Sequence, residues 1–221
     1  MKSEPRPALT LRALVVGVAL MVVTIFWVMY GLKWDIAHAA MISLLYNAVF
    51  MLFALTAVNL PLRTLWPSLA LTRAELLTVY AMVSMGASIG GHMCVQMLPP
   101  MLSYVAWLAT PENDWHALFG DYTPDWLAVQ ERAALSGLYE GGSSVYVRRH
   151  LAAWAVPLLL WSLFLIPILL TTLLIVFIAR RQWTEHEKLS YPLIQLPLEL
   201  THSSGRFMRD RYMWAGFALA A

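Results

Sequence analysis

Charge is what this chain of 221 residues has least of. Asp, Glu, Lys and Arg together make up 13% of it, about half the share of an ordinary soluble domain. Cysteine occurs once, as Cys94, which excludes an intramolecular disulfide framework and a thiolate zinc cluster. The formal net charge is only +2, and so small a surplus gives no ground for nucleic acid or another polyanionic partner. There is no HExxH motif, no nucleophile–base pair and no pair of intramembrane aspartates, so an enzyme is not expected. No cofactor is implied. His186 lies between Glu185 and Glu187, but neighbouring residues on a helix do not face one another, so no metal site is expected there.

What is present is apolar. The hydrophobic set accounts for 60% of the residues and mean hydropathy is +0.63. A soluble domain of this size could not bury that much apolar surface, so a cytosolic enzyme, a disordered tail and a nucleic-acid-binding arm are all excluded. The expected fold class is all-α, a polytopic transmembrane helical bundle.

A membrane-crossing helix needs about 20 mostly apolar residues. The first such run is Ala13–Tyr30, uncharged and too long for the core of a signal peptide. The second is Ile36–Leu60, expected to end at Pro61, which lacks a backbone donor. A third region, Ala74 to Thr110, carries a single charge, Glu75. It contains Gly86, Gly90, Gly91 and Pro99-Pro100. It reads as one helix over about 74–97 followed by a short interfacial helix over Met101–Ala109. The alternative is a broken or re-entrant element at Gly90-Gly91. The fourth run, Leu151–Ile178, is free of charge and holds Pro157 and Pro167. A fifth begins at Met213 and stops at Ala221, covering about 14 Å, roughly half of the hydrocarbon core. The expectation is four complete spans and a truncated fifth, the N-terminal part of a longer protein.

The organisation follows from these runs. Residues 1–110 hold spans one to three with the interfacial helix, and 111–150 form an extracytoplasmic ordered loop. Span four is 151–178, a cytoplasmic loop is 179–212, and 213–221 begin the fifth span. On this assignment eleven of the fifteen Lys and Arg fall on the side of the N-terminus. The positive-inside rule places that side in the cytoplasm. Arg180 and Arg181 close span four and fix topology.

The 111–150 loop is rich in aromatic residues, which suggests an ordered cap. Thr123-Pro124-Asp125-Trp126 reads as a helix start and Gly141-Gly142-Ser143-Ser144 as a turn. The apolar, proline-punctuated segment Leu189–Leu200 is too short to span. It is expected to lie at the interface or to pack under the bundle.

Polar groups inside a membrane are the default functional candidates. Here they are Asn47, Asn59, Ser84, Ser88, His92 and Gln96. Gly86 with Gly90, and Ala87 with Gly91, form small-residue faces suited to close helix packing. The competing reading is an unwound segment whose backbone contacts solute, with Gly90, Gly91, His92, Gln96 and Asn47 as the substrate-binding set.

Several stretches carry a family resemblance. They are Thr72-Arg73-Ala74-Glu75-Leu76-Leu77, Gly90-Gly91-His92, Pro111-Glu112-Asn113, Leu138-Tyr139-Glu140-Gly141, and Arg180-Arg181-Gln182-Trp183 through Leu189-Ser190-Tyr191-Pro192. With these the chain resembles, over essentially its whole length, a large family of bacterial multi-spanning proteins often labelled peptide-transporter-like. Leu189-Ser190-Tyr191-Pro192 is also similar to a Leu-Thr-Tyr-Pro stretch of the oligopeptide transporter superfamily, although the glycine following that proline is Leu193 here. The resemblance implies a secondary transporter of peptides or similar small solutes. A non-transporting scaffold or accessory subunit of a membrane complex is the other expectation. The partners are then the lipid bilayer, a small-molecule or peptide solute, and further copies or subunits.

Overall fold

The computed structural model describes residues 9–33, 45–188, 190–202, 207 and 210–220, apart from the side chains of His92, Met93, Phe217 and Ala220. Ile36 to Leu44 at the start of the second run, Trp34, Leu189, Ala221 and the basic residues Lys2, Arg6, Arg206 and Arg209 lie outside the described residues. Among the described residues there are helices and no strands. In chain order they are α1 (Leu11–Lys33), α2 (Tyr46–Leu65), α3 (Arg73–Ile89), a π-helical turn (His92–Gln96), α4 (Leu98–Met101), α5 (Tyr104–Leu108) and α6 (Trp115–Phe119). A 3-10 turn (Gly120–Tyr122), α7 (Arg132–Tyr139), α8 (Arg148–Arg181), a second π turn (Gln182–His186), α9 (Pro192–Leu200) and α10 (Arg211–Ala220) follow. Among the described residues four stretches are long and apolar enough to cross a membrane: Leu11–Gly31, Tyr46–Leu65, Arg73–Met101 and Arg148–His186.

The chain forms two compact units, 1–96 with 191–221, and 97–190. In the first unit α1 packs chiefly on α3, α2 also packs on α3, and α9 lies against α2 and α3. The sequence explains the α1–α3 seam. A Cβ at Gly17 would meet the Met82 side chain, one at Gly86 would meet Met21, and one at Gly90 would meet Ile25. Both sets of numbers rise together, so the two helices run parallel, with large side chains seated where the facing residue has none. The buried stripe of α1 continues through Ala13, Thr24 and Val28, at helical spacing. Leu52 of α2, Leu76 of α3 and Leu71 between them cluster with Leu200 of α9, and Ala48 clusters with Val79 and Val83.

Two expectations are corrected here. Pro61 does not end α2, which runs on to Leu65 with the proline inside it. The carbonyl that loses its donor belongs to Ala57, an exposed residue. The last turn is tied down by Asn59, which is buried. Its Nδ2 donates to the Leu71 carbonyl at 2.9 Å and its Oδ1 accepts from the Leu71 amide at 2.8 Å. Asn59 is thus a backbone clamp. Asn59→Leu leaves the Leu71 amide unpaired and its carbonyl with only the Arg63 guanidinium at 3.4 Å, and is expected to cost about 2 kcal/mol. Thermal unfolding of the variant checks this, and faster tryptic cleavage after Arg63 or Arg73 should accompany the loss.

The second correction concerns residues 74–109. The α-helix does not run to 97. It stops at Ile89, Gly90 caps it through its amide to the Gly86 carbonyl at 2.8 Å, and a π turn follows. Two consecutive glycines are poor helix formers. Beyond them the helix restarts with Pro99-Pro100 in the first turn of α4, where a missing donor costs little. The expected short helix over Met101–Ala109 is two pieces, α4 and α5, separated at Ser103, whose hydroxyl donates to the Pro99 carbonyl at 2.8 Å.

In the second unit the 111–139 segment is helical in short pieces. No helix starts at Thr123. Residues 124–128 make a single turn closed by the Leu127 and Ala128 amides on the Pro124 carbonyl, and the helices lie on either side, in α6 and α7. Gly141 and Gly142 stand at φ +76 and +71, the left-handed conformation that glycine adopts freely. The core joins Leu102, Val129, Ala134, Leu135 and Trp154. Tyr139 stacks on Trp107 at 4.8 Å, and Arg132 lies over the same indole at 5.1 Å. Helix α8 extends beyond 151–178 at both ends and is continuous through Pro157 and Pro167. Beyond Pro157 its apolar side chains are mostly exposed on every face, as expected of a helix solvated by lipid.

Candidate functional site

The site is built from the buried polar side chains of the first unit. They divide into a paired set at one end and an unpartnered set further along the same helices.

The paired set begins with the capping box of α3. The Thr72 hydroxyl accepts from the Glu75 amide at 3.3 Å, and the Glu75 carboxylate accepts from the Thr72 amide at 2.7 Å. Glu75 is fully buried. Its carboxylate also accepts from Arg12 through Nε at 2.7 Å and Nη2 at 2.9 Å, and from the Thr10 hydroxyl at 2.6 Å. Arg12 makes one further bond, to the Ser68 carbonyl at 2.8 Å. A bidentate guanidinium is the donor best matched to a carboxylate. Arg73 donates to the Leu198 carbonyl of α9 at 3.1 Å. Asn59 belongs to the same end through its bonds to Leu71. Nothing in this set is left with free hydrogen-bonding capacity on the carboxylate, so it closes and fixes the end of the bundle rather than offering a binding surface.

The unpartnered set is different in kind. The hydroxyls of Thr24, Thr56 and Ser84 and both amide atoms of Asn47 are buried, with no hydrogen-bond partner among the described residues. Thr24 and Asn47 are fully inaccessible. Buried polar groups are normally paired, because leaving one unmade costs about 1–3 kcal/mol. Helix rise gives their height. Thr24 lies twelve residues beyond Arg12, Asn47 twelve before Asn59, and Ser84 nine beyond Glu75. At 1.5 Å per residue these are about 18, 18 and 14 Å from the paired end. The α1–α3 seam, where Gly17 faces Met82 and Met21 faces Gly86, sets Thr24 level with about residue 89, roughly 7 Å beyond Ser84, and Thr56 lies nearer the paired end. All four residues are neutral and none is titratable. Each offers a hydroxyl or amide donor and acceptor in a dry environment, the chemistry that suits an uncharged polar group such as a peptide amide. Among the described residues no cluster of three metal-ligating side chains exists.

The expected site residues fall into three places. Asn47 is in the interior set. Gly86 and Gly90 sit against Met21 and Ile25 of α1, and Ala87 and Gly91 are buried. Gln96 is half-buried in the π turn, with Cys94 beside it, and the side chain of His92 lies outside the described residues. Ser88 is exposed and donates to the Ser84 carbonyl. Arg180 and Arg181 are exposed at the end of α8, Arg181 pairing with Glu185 at 3.1 Å. Thr24 and Thr56 do not stand out in the sequence. A threonine in a transmembrane run usually bonds its own helix backbone, and only the burial stripe distinguishes these two. The Arg12–Glu75 pair was not expected either, although Thr72-Arg73-Ala74-Glu75 has the spacing of a capping box.

The chain belongs to a family of unknown function, DUF6785, whose profile matches residues 3–221. No curated protein and no solved structure matches it.

Proposed function

We propose that the protein is a secondary transporter of peptides or similar small solutes in a bacterial inner membrane, with its N-terminus in the cytoplasm. The observation that carries this reading is the unpartnered interior set. Asn47, Thr24, Thr56 and Ser84 are hydrogen-bonding groups inside helices long and apolar enough to span a bilayer. A passing solute is what would satisfy them. The π turn at His92–Gln96 supports the same reading. Its Val95 amide reaches the Gly91 carbonyl only at 3.3 Å, and π turns inside helices recur at functional sites. Gly90, Gly91, His92 and Gln96 are the backbone and side-chain candidates there.

Orientation is supported by the eleven basic residues assigned to the N-terminal side. The Arg12–Glu75 network, the Asn59 clamp and α9 share one end of the first unit, the end to which the sequence assigns the inner loops.

The test is uptake into proteoliposomes reconstituted with the intact protein. Labelled di- and tripeptides should enter saturably and compete with one another. Absence of uptake for every peptide, together with stoichiometric co-purification of other membrane proteins, would replace this reading by that of a scaffold.

A further inference from the structure

The second unit holds a cavity of about 270 Å³ that the transport reading does not use. Pro99, Leu138, Trp154 and Leu158 give it an apolar wall, and Ser143 and His150 form its polar end.

The tautomer at that end follows from geometry. His150 is 9% exposed, and its Nδ1 lies 2.8 Å from the Ala134 carbonyl oxygen. A carbonyl only accepts, so Nδ1 carries the hydrogen and donates. In the neutral ring Nε2 is then the acceptor. The Ser143 hydroxyl, 3.1 Å away, donates to it. The one hydrogen of Ser143 is thereby committed, while lone pairs on its oxygen remain. A ligand that reaches this end must bring a donor. The pair can form because residue 137 is glycine. A Cβ there would come within 2.9 Å of the Ser143 Cβ and 3.3 Å of the His150 Cε1.

Size sets the other half of the specificity. An apolar cavity of about 150 Å³ is enough to hold benzene, so this one admits a group of one or two rings. We propose that the cavity is a binding site for a small apolar ring-bearing molecule or side chain with a single N–H or O–H donor, seated with that donor on Ser143 Oγ. The wall offers a charged or strongly polar group no partner. The site lies wholly within the second unit, and its occupancy does not depend on the interior set of the first.

A fluorine NMR titration of the intact, detergent-solubilised protein tests this, with 5-fluoroindole and 5-fluorobenzofuran as probes. The two have nearly the same shape, and only the first has a donor. The expected result is a saturable shift for 5-fluoroindole, with 5-fluorobenzofuran binding about fivefold more weakly, the difference made by one hydrogen bond. Ser143→Ala should bring the two affinities together. Leu158→Trp, which fills the cavity, should abolish saturable binding of both, and Asn47→Leu should leave both unchanged. No saturable shift with 5-fluoroindole, equal affinity for the two probes, or a preference that survives Ser143→Ala would overturn the proposal. The wild-type comparison decides it even where a variant fails to fold.

Discussion

Arg12→Ala is expected to lower the unfolding free energy by about 4 kcal/mol, more than any other substitution proposed for this protein. The magnitude comes from the group left behind. Removing the guanidinium strands a fully buried carboxylate, Glu75, with only the Thr10 hydroxyl and the Thr72 amide still donating to it. The opposite truncation is milder. Arg12 is 32% exposed, so Glu75→Ala leaves a cation that can turn to water, and the loss is about 2 kcal/mol, roughly half of it from the α3 cap. Glu75→Gln keeps an acceptor for the Thr72 amide and should fall below Glu75→Ala in cost. Thermal unfolding of the three variants in one detergent measures the order. If Arg12→Ala cost no more than about 0.5 kcal/mol, the pair would be behaving as an exposed ion pair, and the closed end of the bundle would not exist in solution.

The second large effect is a contrast between two glycines. Gly86→Ala is expected to destabilise by about 1–3 kcal/mol, the usual penalty of overpacking. Its new Cβ would run into Cγ and Sδ of Met21, the Cγ being close to the backbone of α1 and unable to swing away. Gly216→Ala, in α10, should have the opposite sign. A Cβ there meets nothing within 4 Å, so the helix-propensity gain of up to about 1 kcal/mol is unopposed. Thermal unfolding of the two single variants is sufficient. If Gly86→Ala stabilised the protein as Gly216→Ala does, the α1–α3 seam would be looser than the structure shows.

Long uncharged runs identify membrane-length helices because a bilayer allows little else, and the four apolar stretches emerged near their expected places. Element ends were harder to read. Pro61 was legible as a helix stop, yet α2 passes through it, and there the Asn59 clamp outweighs the lost donor; Pro157 and Pro167 lie in a run legible as one span, and α8 is continuous through them. Gly90-Gly91 left two readings open, and the π turn that follows depends on backbone geometry that periodicity does not encode. At the candidate site, Asn47 could be named from its position in an apolar run. Asn59 could be named on the same grounds but turned out to hold backbone. What separates them is whether a partner lies within reach across the chain, which spacing along one helix does not reveal. Ser143 and His150 are seven residues apart, and they meet because a turn closed by the Val147 amide on the Ser144 carbonyl lies between them.

On the transport reading, the interior polar side chains serve a solute and not the fold, and Asn47→Leu separates the two roles. A leucine of similar size removes an unsatisfied buried amide, so the variant should be more stable than wild type by about 1–2 kcal/mol. Peptide uptake into proteoliposomes should fall about tenfold or more, since the solute loses one or two hydrogen bonds at about 1.4 kcal/mol per decade. Greater stability with lost uptake is the predicted result. Lower stability with unchanged uptake would contradict it, and would make Asn47 a structural residue of the bundle.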